Sequence, residues 1–71
     1  MDRAMLERHL AFAEHHIAMG GRCISLQRDI VARLELSGHD SRQASNMLRQ
    51  LELAQEHHMA DRERLLLLLQ K

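Results

Sequence analysis

The sequence predicts an all-α protein, an antiparallel two-helix hairpin that dimerises into a four-helix bundle. Three observations predict it. The 71 residues include no proline and only one aromatic residue, and the strong helix formers Ala, Leu, Glu, Gln and Arg dominate. Only residues 37–41 have the composition of a turn. Apolar residues recur at alternating spacings of four and three, as in coiled coils and other packed helices.

The first helix is predicted over residues 3–36. Its seam, the row that faces a partner helix, consists of Leu6, Leu10, Ala13, Ile17, Gly20, Ile24, Gln27, Val31 and Leu34. Each glycine of the Gly20-Gly21 pair costs about 1 kcal/mol relative to alanine. The seam passes through the pair without a change of phase, so we predict a continuous helix and close approach of a neighbouring helix there. The alternative is a kink at the pair.

The turn is predicted at residues 37–40. Gly38 can adopt the left-handed conformation that ends a helix. Asp40 is a suitable N-cap, and Gln43 three residues later completes a capping box. Two helices of similar length joined by a short turn fold back on each other, so residues 1–71 are expected to form a single domain.

The second helix is predicted over residues 41–69, with a central row formed by Ala44, Leu51, His58 and Leu65. Its last third is apolar on nearly every side because residues 65–69 are all leucine. Five residues are too few to span a bilayer. We interpret the run as helix-end packing in the dimer, rather than as a membrane-surface or partner-binding segment.

Both helices carry apolar rows beyond one seam. The surplus residues are Met5, Phe12, Met19 and Leu26 on the first helix, and Leu53, Met59, Leu66 and Leu67 on the second. Burying one leucine side chain stabilises a fold by about 1.5–3 kcal/mol, and a chain this short seldom buries a sufficient core alone. We therefore predict that these eight residues form a homodimer interface.

A Glu-His-His triplet occurs twice, at residues 14–16 and 56–58. In the hairpin, His16 and His58 should lie at nearly the same height on the inward sides of their helices. Neutral imidazoles bind zinc, but neither helix has the His-x-x-x-His or Glu-x-x-His spacing that places two ligands on one face. We predict a polar layer that fixes register, rather than a metal site. A dimer that loosens on protonation near pH 5–6 is a third interpretation.

No set of nucleophile, base and orienting group is recognisable, so neither catalysis nor a cofactor is expected. Cys23 lies in an apolar row and is predicted to be a small buried side chain. A single cysteine and the lack of a signal-like N terminus favour the cytoplasm.

Ten basic and ten acidic residues balance, which argues against general attraction to nucleic acid or membranes. A weak arginine surplus near the turn leaves Arg42 and Arg49 as candidate nucleic-acid contacts. The preferred function is a protein-interaction or scaffold module, and the alternative is an RNA-binding regulator.

Several segments together are similar to a group of short bacterial helical proteins. They are LERHL at 6–10, AEHHI at 13–17, LELSGHDS at 34–41 and DRERLL at 61–66, together with Gly20, Ile24, Gln27 and Arg28. The resemblance covers nearly the whole chain and implies a stand-alone hairpin in the bacterial cytoplasm. It implies no activity, so no functional residue is carried over. In architecture alone the chain also resembles the Rop type of RNA-binding hairpin dimer, which transfers no function.

Overall fold

The computed structural model describes residues 2–71 and contains two helices, α1 (Arg3–Leu36) and α2 (Arg42–Leu69). The helices pack antiparallel, since the Arg3 side chain near the start of α1 donates a hydrogen bond to the Leu69 carbonyl at the end of α2 (3.1 Å). The Cα atoms extend over 53 × 14 × 13 Å, so the hairpin is a thin rod. The predicted all-α hairpin is confirmed, and α1 runs through Gly20 and Gly21 without interruption.

Both ends of α1 are capped as their residue types suggest. The Asp2 carboxylate accepts a hydrogen bond from the Ala4 amide (3.1 Å). At the other end Gly38 has a φ of 74°, and the next amide, that of His39, donates to the Leu34 carbonyl (2.9 Å). The prediction that Gly38 ends the helix in a left-handed conformation is confirmed.

The start of α2 differs from the prediction by one residue. Ser41, not Asp40, is the N-cap, and it makes no side-chain capping hydrogen bond. The Asp40 carboxylate accepts the Arg42 amide (3.0 Å) and also pairs with the Arg42 guanidinium (2.8 Å). Within residues 2–71 the Gln43 side chain makes no return hydrogen bond, so the predicted capping box is wrong. The Asp40 carboxylate thus accepts from both the amide and the guanidinium of Arg42, and both bonds are charge-assisted.

The seam of α1 lies where the spacing predicts, because all nine of its residues are buried or half-buried. On α2 the corresponding seam residues that are buried or half-buried are Ala44, Leu48, Leu51, Gln55, His58, Leu65 and Leu69. Leu6, Ala13 and Leu65 form a cluster near the free helix ends, with Leu10, Leu68 and Leu69 packed against it. Three of the five leucines of the run therefore pack within their own hairpin, and packing of the run in a dimer stays a prediction.

Two glutamines cross the seam in opposite directions. The Gln55 amide of α2 donates to the Ile17 carbonyl of α1 (2.8 Å), and Gln27 of α1 donates to the Ala44 carbonyl of α2 (2.9 Å). A Cβ added to Gly20 would overlap with the Gln55 side chain, whereas one added to Gly21 would find its nearest neighbour at 4.0 Å. The close approach predicted at the glycine pair therefore involves a side chain, not a helix backbone.

Candidate functional site

The seam separates two faces of the hairpin. On one, Arg28 of α1 and Glu52 of α2 meet at 3.0 Å. On the other lies an open depression of about 340 Å³, lined by His9, Phe12, Ala13, His16, His58, Asp61, Arg64 and Leu65. Residues seven apart share one side of a helix. The Arg28–Glu52 pair and the depression therefore show on which face each of the remaining rows of residues lies.

The face with the depression, here called the methionine face, carries most of the exposed apolar surface. Its α1 rows are Met5, Phe12, Met19, Leu26 and His9, His16, Cys23, Ile30, and its α2 row is Met47, Ala54 and Asp61. Phe12 and Leu26 are each 65% exposed. Four of the eight predicted interface residues therefore share one face. Two further exposed apolar residues, Ile30 and Met47, lie on the same face but were not among the eight predicted.

The face with Arg28 and Glu52, here called the ion-pair face, is charged. On α1 it carries Glu7, Glu14, Arg28 and Glu35, and on α2 it carries Glu52, Met59 and Leu66. Leu53 and Leu67 each follow a residue of this face in the sequence, and they lie on the outer side of α2, away from α1. They are 51% and 60% exposed, and Met59 is 49% exposed, whereas Leu66 is half-buried. Within one hairpin the structure does not bring these four residues together with Phe12 and Leu26.

The two central histidines are in contact. The rings of His16 and His58 are stacked, with centroids 4.9 Å apart and planes 9° apart, so their predicted equal height is confirmed. His58 is half-buried but His16 is exposed, because His16 lies on the methionine face beside the seam. Its predicted inward position is wrong.

The stack is poorly arranged to bind a metal. The lone pair of an imidazole nitrogen lies in the ring plane, so two parallel stacked rings do not direct their nitrogens at one ion. Across residues 2–71 no three His, Cys, Asp or Glu side chains are grouped so that they could hold a metal ion. What the arrangement offers is a flat aromatic pair beside Asp61 and Arg64, which themselves pair at 2.9 Å.

Cys23 is exposed, so its predicted burial is wrong. It lies seven residues from His16 and from Ile30, in the row beside the seam. This position on the methionine face leaves the thiol in solvent in a single hairpin.

The candidate nucleic-acid contacts are both exposed residues of α2. Arg42 is occupied by Asp40, and this hydrogen-bonded pair lowers the pKa of Asp40 and raises the pKa of Arg42. A guanidinium already paired with a carboxylate is a weak phosphate contact. Arg49 lies seven residues farther along, and nucleic-acid binding by these residues stays a prediction.

Neither helix of the described chain combines the length and the apolar composition needed to cross a bilayer. Comparisons with protein-family models, with curated proteins and with solved structures find no match to this chain. The resemblance to short bacterial helical proteins stays a prediction, and function must be inferred from the surface of the hairpin.

Proposed function

We propose that this chain is a homodimeric helical hairpin, two copies of which form a four-helix bundle that serves as a small protein-interaction or scaffold module. The observation that carries the proposal is the exposed area. The hairpin exposes 5649 Å², whereas a folded monomer of its mass, 8.3 kDa, ordinarily exposes about 4,600 Å². If a second copy covered this excess on both chains, the interface would total about 2,100 Å², which lies at the lower end of the range for obligate homodimers.

The small core supports the same proposal. Among residues 2–71 only Leu6, Ala13, Ile24 and Leu65 are buried, and each is still 6–8% exposed. Ordering the backbone costs about 1–2 kcal/mol per residue, and small scaffolds commonly need oligomerisation, metals or disulfides to offset that cost. This chain has a single cysteine, so no disulfide can form within it. Association is the stabilising device that fits the exposed apolar rows.

A two-fold dimer of hairpins holds two identical outer surfaces in a fixed relation, which is the property a scaffold needs. We place this module in the cytoplasm. The single cysteine supports that assignment, because small proteins of oxidising compartments commonly rely on internal disulfides.

The experiment is a mass measurement by light scattering and sedimentation, combined with thermal melting. We expect twice the 8.3 kDa of one chain, and a melting temperature that rises when protein concentration increases from about 1 to about 100 µM. A folded hairpin with the mass of one chain over that whole range would contradict the proposal. Fusion to a monomeric fluorescent protein tests the scaffold role, since the fused protein should become dimeric.

A further inference from the structure

We infer that the methionine face is the surface that a second copy covers, and that the ion-pair face and the outer row with Leu53 and Leu67 stay in solvent. The inference rests on the proposed homodimer and specifies its contact surface. It divides the eight residues predicted from sequence into four that lie in the interface and four that lie outside it.

The apolar surface of α1 is concentrated on this face. The large apolar side chains of α1 that are exposed are Met5, Phe12, Met19, Leu26, Ile30 and Leu36. All of them except Leu36, the last residue of the helix, lie on the methionine face. From Met5 to Ile30 the rows extend for about 38 Å at 1.5 Å per residue. A surface of this length fits a helix-long contact rather than a small ligand.

The methionine face is also nearly free of charge. Between Met5 and Ile30 its two α1 rows contain no Asp, Glu, Lys or Arg. On α2 the charged residues beside them are Asp61 and Arg64, which neutralise each other at 2.9 Å. A two-fold interface brings the same patch onto itself, so a patch without net charge does not repel its copy.

The ion-pair face lacks this property. Its α1 row contains Glu7, Glu14, Arg28 and Glu35, and Glu52 lies opposite on α2. Arg3 pairs with Glu7 and Arg28 with Glu52. Two copies meeting there would therefore remove two ion pairs from water and bring the carboxylates of Glu14 and Glu35 into the interface as well, which is unfavourable. Its apolar residues, Met59 and Leu66, occupy α2 alone. The difference in charge selects the methionine face for self-association.

The shape of the methionine face fits a second copy as well. Phe12 stands 65% exposed at the edge of the open depression of about 340 Å³. Each copy therefore presents a protruding aromatic ring and a recess on one surface, and packed helices interlock through such knobs and holes.

The test uses two triple variants of matched chemistry. Phe12→Gln/Met19→Gln/Leu26→Gln removes apolar side chains from the methionine face. Leu53→Gln/Met59→Gln/Leu67→Gln removes as many from the other surfaces of α2. We expect the first to raise the dimer dissociation constant by at least about 100-fold, because each lost apolar contact is worth about 1 kcal/mol. The second should change it by less than about 3-fold.

A readout without substitutions guards against a variant that fails to fold. Cys23 lies on the methionine face, so the rate at which its thiol reacts with a thiol reagent should fall as wild-type protein is concentrated and the dimer forms. A rate that stays constant across the monomer–dimer transition would overturn the inference.

The outcomes separate this inference from the proposed function. A wild-type dimer that dissociates in the second triple variant but not in the first refutes the assignment of the face and leaves the homodimer intact. A wild-type protein that stays monomeric overturns both. A wild-type dimer lost only in the first variant, with a concentration-dependent Cys23 rate, supports the inference.

Discussion

The two halves of the seam differ in how they hold the helices together. In the half near the chain termini, Leu6, Ala13 and Leu65 are buried in one cluster. In the half near the turn, Ile24 is the only buried residue, and Gln27 donates a hydrogen bond to the Ala44 carbonyl (2.9 Å). The turn keeps that end closed covalently, so little loop-closure entropy remains to be offset there. At the open end the chain provides no tether, and α1 is held against α2 by the concentrated apolar burial together with the Arg3 hydrogen bond to the Leu69 carbonyl (3.1 Å).

The largest expected effect comes from the open end. Leu65→Ala should lower the free energy of unfolding by about 2–4 kcal/mol, because it removes a buried side chain from the main cluster. Leu48→Ala, at a half-buried position near the turn, should cost about 1 kcal/mol. Leu67→Ala, two residues from Leu65 but 60% exposed, should cost about 0.5 kcal/mol or less. Urea unfolding followed by circular dichroism at one protein concentration measures all three. Equal losses of unfolding free energy in Leu65→Ala and Leu48→Ala would show that the two halves of the seam contribute equally to stability.

The middle of the seam should respond with effects of about 1 kcal/mol and of opposite sign. Gly21→Ala has free space and should stabilise the protein by about 0.5–1 kcal/mol through helix propensity. Gly20→Ala should destabilise it by about 1 kcal/mol, because displacing Gln55 breaks its hydrogen bond to the Ile17 carbonyl and leaves its amide buried without a partner, which costs about 2 kcal/mol and exceeds the gain in helix propensity of about 1 kcal/mol. The same unfolding measurement applies to both variants.

A double-mutant cycle provides the control for the middle of the seam. If Gln55 is the cause, Gly20→Ala should no longer destabilise a Gln55→Ala background, so the two substitutions are not additive. The same penalty for Gly20→Ala in both backgrounds would exclude Gln55 as its cause.

The smallest effect is expected at the turn. Asp40 has a pKa below its ordinary 3.8, first because the Arg42 side chain donates hydrogen bonds to it and second because the Arg42 amide does. A lowered folded-state pKa stabilises the fold above the unfolded-state pKa, and that contribution is lost as pH falls through the lower folded-state value. Since the pair is fully exposed, the change in stability should be small.

Replacement of Arg42 tests this assignment. Arg42→Ala should move the Asp40 pKa up toward 3.8, as measured by NMR titration of its side-chain carboxyl carbon. The matched control is Arg49→Ala, which leaves the Arg42 contact in place. An Asp40 pKa that does not change in Arg42→Ala would show that the ion pair does not form in solution.

Much of the fold follows from the periodicity of the sequence, since helix geometry converts a four–three spacing into one contact row. That is why all nine α1 seam positions could be predicted. Gly38 was predictable because few other residues adopt a positive φ. The N-cap of α2 was not, because Asp40 and the adjacent Ser41 are both suitable cap residues, and the helix starts after Ser41 although the Asp40 carboxylate still accepts the Arg42 amide.

The surface was predicted less well than the seam. A count of surplus apolar residues shows that both helices carry too many, but it does not show on which flank of the seam each row lies. Helix geometry fixes that flank once the seam is known, so the faces could have been separated from residue spacing alone. Cys23 was predicted to be buried because an apolar row beside the seam has the same composition as one within it.

The contact between Gln55 and Gly20 also solves a problem of alignment. A heptad pattern repeats itself, so a shift of one helix by seven residues, about 10 Å, presents a nearly identical arrangement of apolar and polar positions. Gly20 is the only seam residue of α1 without a side chain. After such a shift Gln55 would face Ala13 or Gln27, where its amide would meet another side chain. The missing methyl group at Gly20 thus distinguishes one alignment of the helices from those shifted by seven residues. The same selection would apply to two opened chains that exchange helices and to one closed hairpin.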